Sequence, residues 1–161
     1  MNLVNRIIEK LPDRKSIIGV YAVIVFLGYS WSLVVSFYKI PSWMLYLDLL
    51  QIASIYAYLF VFGLIESIFS LLIVVLLGFA FTLNKKNDTI FQSRAILIYF
   101  VLFITSAARL IAFQDYEQMA GFTDGEFAWW LGAFLIGVPL VVFGPKSYWL
   151  NKLIHGFADR A

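Results

Sequence analysis

Four stretches of the chain, 17–38, 49–83, 95–112 and 127–144, are nearly unbroken apolar runs, and the short segments between them hold most of the charge. A helix needs about 20 residues to cross the roughly 30 Å of hydrocarbon in a bilayer, so each run predicts a membrane-crossing helix. The second run does not fit that rule, because as one helix it would be about 52 Å long. It is either two short crossings that turn near Gly63 or one crossing that continues beyond the membrane.

The distribution of bases separates the two arrangements. With four crossings, the N-terminal segment (Arg6, Lys10, Arg14, Lys15), the loop 84–94 (Lys85, Lys86, Arg94) and the tail (Lys146, Lys152, Arg160) share one side, and Lys39 stands alone on the other. With five crossings the excess falls on opposite sides of the membrane. Lysine and arginine collect in cytoplasmic loops, so the pattern predicts four crossings with both termini cytoplasmic. Asp115, Glu117, Asp124 and Glu126 then lie in an outer loop. The bases ahead of the first run resemble the start of a signal peptide. The run is longer than such a peptide's apolar core, however, and no small-residue cleavage site follows it.

The expected fold is therefore an all-α membrane protein. It is a single domain over 1–161, a bundle of four transmembrane helices at about 17–38, 62–83, 95–112 and 127–144, with an extended second helix. Residues 41–61 form an outer amphipathic segment that either lies on the membrane interface or extends the second helix, with Pro41 at its first turn. Asp48, Gln51, Ser54 and Tyr58 recur there at helical spacing and make one polar stripe, while Trp43 and Tyr46 suit the headgroup zone. Leu3, Val4, Ile7, Ile8 and Leu11 share one face of a helix over 2–11, and Trp149, Leu150, Leu153, Ile154 and Phe157 share one over 146–158. Both terminal segments read as amphipathic helices on the inner surface, their bases near anionic lipid.

At 62% hydrophobic and 14% charged residues, the chain has too little polar surface for a soluble domain. It contains no cysteine, which removes disulfides, thiolate catalysis and thiolate metal sites. His155 is the only histidine, and no H-E-x-x-H, EF-hand or phosphate-binding glycine pattern occurs. No metal or other cofactor is expected, nor a nucleic-acid partner, since the bases are few and scattered. No catalytic constellation points to an enzyme.

One feature stands apart. Glu66 is the only charged residue between Leu49 and Leu83, and Arg109 is the only one inside the third run. Counted from the loop between their helices, the two lie at nearly the same height, about 25 and about 22 Å up. An unpaired charge in hydrocarbon is expensive, about 2.5–3.5 kcal/mol at a helix centre on insertion scales. The expectation is an intramembrane ion pair between Glu66 and Arg109, or an outward-facing pocket around Glu66, Arg109 and Asp48. Tyr29, Ser32, Ser36, Thr105, Ser106, Trp129 and Trp130 are polar groups at a similar level. Small residues at Gly28, Ser32 and Ser36, and at Ala128–Gly132 and Ala133–Gly137, allow close helix approach, with packing inside the bundle the plainer use and dimerisation the sharper one.

The segment Tyr38-Lys39-Ile40-Pro41-Ser42-Trp43, with Tyr46 behind it and Glu66-Ser67 in the long apolar helix that follows, resembles a group of small bacterial multi-pass membrane proteins to which no activity is attached. The likeness covers roughly residues 17–83. It implies a bacterial inner-membrane setting and transfers no functional residue. Three functions follow, in this order. The first is an accessory or scaffold subunit that meets another membrane protein or a second copy of itself within the lipid bilayer. The second is a small outward-facing binding or transport protein for a lipid or other small molecule. An enzyme acting on a membrane-embedded substrate through Glu66 or Asp48 comes last.

Overall fold

A computed structural model describes residues 12–82, 88–112 and 124–147, together with Lys152, Ile154 and Gly156 of the tail. The described residues form four α-helices and no strand: α1 (Arg14–Trp43), α2 (Leu49–Thr82), α3 (Asp88–Ala112) and α4 (Asp124–Phe143), the last running into a 3₁₀ turn at Gly144–Lys146. Three of the helices, α1, α2 and α3, are long and apolar enough to cross a membrane, and α4 contributes a shorter apolar stretch, Phe127–Phe143. The molecule is an all-helical membrane protein. The expected helix over 2–11 lies outside the described residues, as does most of the one over 146–158.

The join between α1 and α2 corrects one boundary. Pro41 does not open the second helix; it sits within the last turn of α1. Proline removes one i→i−4 hydrogen bond, and near an exposed helix end water can serve the freed carbonyl instead, so the helix runs on to Trp43. Met44 N–H then donates to the Ile40 carbonyl at 2.9 Å and Leu47 N–H to that of Trp43 at 2.7 Å, winding the chain into a tight reversal. The new helix starts at a reciprocal cap. Gln51 N–H donates to Asp48 Oδ1 at 2.8 Å, and Asp48 N–H donates to Gln51 Oε1 at 3.0 Å. This capping box satisfies two donors that a helix start leaves without partners. From there α2 continues unbroken for 34 residues, so the extension and the crossing are one helix.

Helix α3 is the hub. It packs against α1, α2 and α4, and also against the 3₁₀ turn, while α1 packs against α2. The core lies toward the end where α1 and α3 begin. Val20, Val23 and Ile24 of α1 and Val74 of α2 meet Phe91 and the run Ala95–Tyr99 of α3, with Val141 of α4 and Ile154 of the tail completing the cluster. Lipid is as apolar as these side chains, so close fit rather than water exclusion holds them together. Glycines set that fit. A Cβ at Gly78 would come 3.1 Å from Phe91 Cε2 and 3.4 Å from Ala95 Cβ, and one at Gly137 would come 2.7 Å from Val101 Cγ1. Asp13 N–H donates to Asp88 Oδ1 at 3.2 Å, tying the start of α1 to the start of α3. Asp88 also stands in the first turn of α3, where a carboxylate favours the helix dipole.

Toward the other end the helices part. Tyr38, Leu45, Tyr46, Leu49 and Leu50 around the α1–α2 reversal are each more than three-quarters exposed. Along α2, Phe60, Val61, Phe62, Leu64 and Ile65 remain exposed as well.

Candidate functional site

Between the closed and open ends lies a cleft of about 550 Å³, walled by α1, α2 and α3. Its α1 wall includes Gly28, Tyr29, Trp31 and Ser32. The α2 wall holds Gly63, Glu66, Ser67 and Ser70, and the α3 wall Tyr99, Phe103 and Ser106. Ser67 is buried and Glu66 is exposed, so the carboxylate stands where the cleft opens outward.

Tyrosines fix the walls. Tyr29 Oη donates to the Phe60 carbonyl at 2.7 Å, and its ring stacks on Phe60 with centroids 5.7 Å apart. Glycine at 63 gives that ring its place, since a Cβ there would lie 3.2 Å from Tyr29 Cε1 and push the ring by a few tenths of an ångström. On the opposite wall Tyr99 Oη donates to the Ile24 carbonyl at 3.2 Å, joining α3 to α1 at the closed end. Tyr99 and Trp31 both lean on Phe103, at centroid distances of 6.0 and 6.1 Å, the latter edge-on. Ser67 Oγ donates to the Leu64 carbonyl at 2.8 Å and lies 3.4 Å from Tyr21 Oη.

Of the residues expected from the sequence, Glu66, Tyr29, Ser32 and Ser106 line the cleft, whereas Asp48 and Arg109 do not. Asp48 is the cap of α2, about 27 Å along the helix from Glu66, so the two share no pocket. Arg109 stands in the last turn of α3, half-buried, with its Nε covered. It is seven residues beyond Leu102, nearly two full turns, and so lies on the cleft-facing side but past the lining.

The contact of Gly78 with Ala95 registers α2 against α3. Measured from it, Glu66 is about 18 Å up and Arg109 about 21 Å up. The heights nearly agree. Glu66 is turned about 120° from the line on which α2 meets α3, and Arg109 only about 40° from the matching line on α3.

Other polar residues have local partners. Ser36 is buried and donates to the Leu33 carbonyl at 2.8 Å. The Trp129 indole donates to the Thr105 carbonyl at 3.2 Å, which docks α4 onto α3. Trp130 is exposed on α4. In the small-residue ladders, Gly28 faces Tyr99 Oη and Gly137 faces Val101, while nothing lies within 4 Å of a Cβ at Gly132. Sequence reasoning missed Trp31, Ser70 and Tyr99. Ser70 follows Glu66 by one helical turn, a spacing that could have suggested a polar lane. Trp31 and Tyr99 carry no such signal, since an aromatic residue in an apolar run looks like packing. Among the described residues no three histidines, cysteines or carboxylates gather as metal ligands.

Comparison with protein-family models, with curated proteins and with solved structures finds no match for this chain. The reading of its function therefore rests on the cleft and on the bundle that holds it.

Proposed function

We propose that the protein crosses the bacterial inner membrane four times, with both termini in the cytoplasm, and binds a small amphiphilic molecule that enters the cleft from the surrounding lipid. The cleft itself carries this reading. Its volume of about 550 Å³ falls within the 300–1,000 Å³ typical of small-molecule sites. It sits beside the carboxylate at the middle of α2, and an ionisable group at that depth points to function by default. The fourth crossing is supported by the apolar stretch Phe127–Phe143 of α4, about 25 Å of helix and at the short end of spanning length, and by its docking along α3. The one-sided placement of bases supports the orientation.

Native mass spectrometry of the protein released from lipid nanodiscs tests this. The expected result is a retained small molecule at one per chain, lost when Ser70→Trp fills the cleft. An unchanged adduct in Ser70→Trp, or none in either protein, would sink the reading.

An accessory or scaffold role keeps one observation in its favour. The reversal between α1 and α2 presents Tyr38, Leu45, Tyr46, Leu49 and Leu50, all strongly exposed, beside exposed Lys39 and Asp48. A patch of this kind suits a partner within or beside the membrane. A second protein at fixed stoichiometry in the same spectra would favour that role. Catalysis ranks below both, because the cleft wall offers one carboxylate, no second carboxylate, histidine or lysine, and otherwise only hydroxyl groups, of which those of Tyr29, Tyr99 and Ser67 are bonded to backbone carbonyls.

A further inference from the structure

We infer that the cleft selects a hydrophobic organic cation, a substituted ammonium or phosphonium, with Glu66 as its counter-charge and aromatic rings as its walls. This deepens the cleft reading and rests on it. Three observations converge on a cation rather than an anion or a neutral molecule.

The first is charge. Glu66 is the one charged side chain among the residues that line the cleft. A carboxylate held in hydrocarbon is costly, and a bound cation relieves that cost. The second is the character of the walls. Tyr29, Trp31, Phe69, Tyr99 and Phe103 supply aromatic surface from all three helices. The faces of such rings are electronegative and attract cations, most strongly where water is excluded. An organic cation also has apolar substituents that match the rest of the lining.

The third is the direction of the hydrogen bonds. Tyr29, Tyr99 and Ser67 each give their hydroxyl proton to a backbone carbonyl, those of Phe60, Ile24 and Leu64 respectively. With the protons committed, these oxygens retain only lone pairs for a ligand. Together with the carboxylate they bias the cleft toward accepting hydrogen bonds and positive charge. Trp31, Ser32, Ser70 and Ser106 keep donors of their own in the lining, so the bias against an anion comes first from the carboxylate.

Arg109 is the competing cation. It lies on the same side of α3 as the lining, one turn beyond Ser106. If it neutralised Glu66, the cleft would lose its preference, so the two ideas give opposite results in one experiment.

The probes are tetraphenylphosphonium, tetraphenylborate and neutral tetraphenylmethane, which match in shape and differ in charge. Binding to the full chain in nanodiscs is measured by equilibrium dialysis against empty nanodiscs, which removes partition into lipid. The expected result is tetraphenylphosphonium bound at least ten-fold more tightly than the other two. Glu66→Gln should remove that preference while leaving weak, charge-blind binding. Arg109→Gln should preserve the preference or sharpen it.

Equal binding of all three probes by the wild-type protein would overturn the cation inference and leave the cleft reading standing. A preference for tetraphenylborate would overturn it in favour of Arg109. Binding of none of the three would remove both the inference and the cleft. The wild-type comparison needs no variant to fold. Glu66→Asp supplies a second check, since it should keep the sign of the preference with reduced strength.

Discussion

The two ends of the bundle are built from similar residues and behave differently. At the closed end Val20, Val23, Ile24, Val74, Ala95 and Ile96 are at most 1% exposed. At the open end Leu49, Leu50, Tyr58 and Val61 of α2 are between 59% and 81% exposed, though they are equally apolar. In water such a contrast would mark an interior and an error. In a bilayer both are stable, because lipid solvates an apolar side chain as well as a protein core does. What separates the ends is shape. Glycine and alanine at Gly78 and Ala95 bring the backbones of α2 and α3 together at one end, whereas at the start of the other α1 and α2 meet through the larger side chains of Tyr29 and Phe60. Apolar content thus decides that a segment enters the membrane, and side-chain volume decides where two segments touch.

The strongest way to break this comparison is to hollow out the closed end. Ile96→Ala removes a side chain with no exposure, and the loss is expected to be about 2 kcal/mol, set by the unfilled cavity. Equilibrium unfolding in mixed micelles measures it. A loss no greater than that of the same change at exposed Ile136 would mean that the closed end is not the mechanical core. The cap at the open end comes next. Asp48→Ala removes half of the capping box and is expected to cost about 1 kcal/mol of local helix stability. Hydrogen exchange should quicken in the first turns of α2 and stay unchanged at Ala95–Tyr99. Protection lost equally at both ends would show that the ends do not respond separately. The smallest effect belongs to Tyr29→Phe. It deletes one interhelical hydrogen bond, worth about 0.6 kcal/mol on average in membrane proteins. Global stability should hardly move, whereas binding of tetraphenylphosphonium in the cleft should weaken a few-fold.

How much of this was legible in the sequence follows from the same distinction. The all-helical membrane class and the places of the helices could be read, because the apolar runs report solvent directly. Counting the bases bore on the number of crossings, but whether residues 41–61 lay on the membrane or extended the second helix stayed open in the sequence, and the unbroken α2 answers it. The capping box at Asp48 and Gln51 was visible only as part of a polar stripe: its spacing suits a cap as well as a pocket, and local hydrogen bonding chose the cap. Pro41 was assigned to the wrong helix, since a proline near a helix end suits the last turn of one helix as well as the first of the next. Glu66 could be found because it is alone, and its height could be counted in residues. Its direction could not, because rotation about the helix axis depends on which face packs. That was settled by Gly63, Gly78 and the rings of Tyr29 and Tyr99, residues that look unremarkable in an apolar run.

The length of α2 has a consequence for the membrane that hosts the protein. Its 34 residues make about 51 Å of helix, set in hydrocarbon about 30 Å thick. The excess is taken up by inclining the helix, by emergence of its outer turns, or by local thickening of the bilayer, and the share of each varies with thickness. Helix α3, at 25 residues, has far less excess to accommodate. A thinner bilayer therefore asks more tilt or emergence of α2 than of α3, and the cleft that both share with α1 feels the difference. Lipid chain length becomes a setting of the site, exerted through geometry alone.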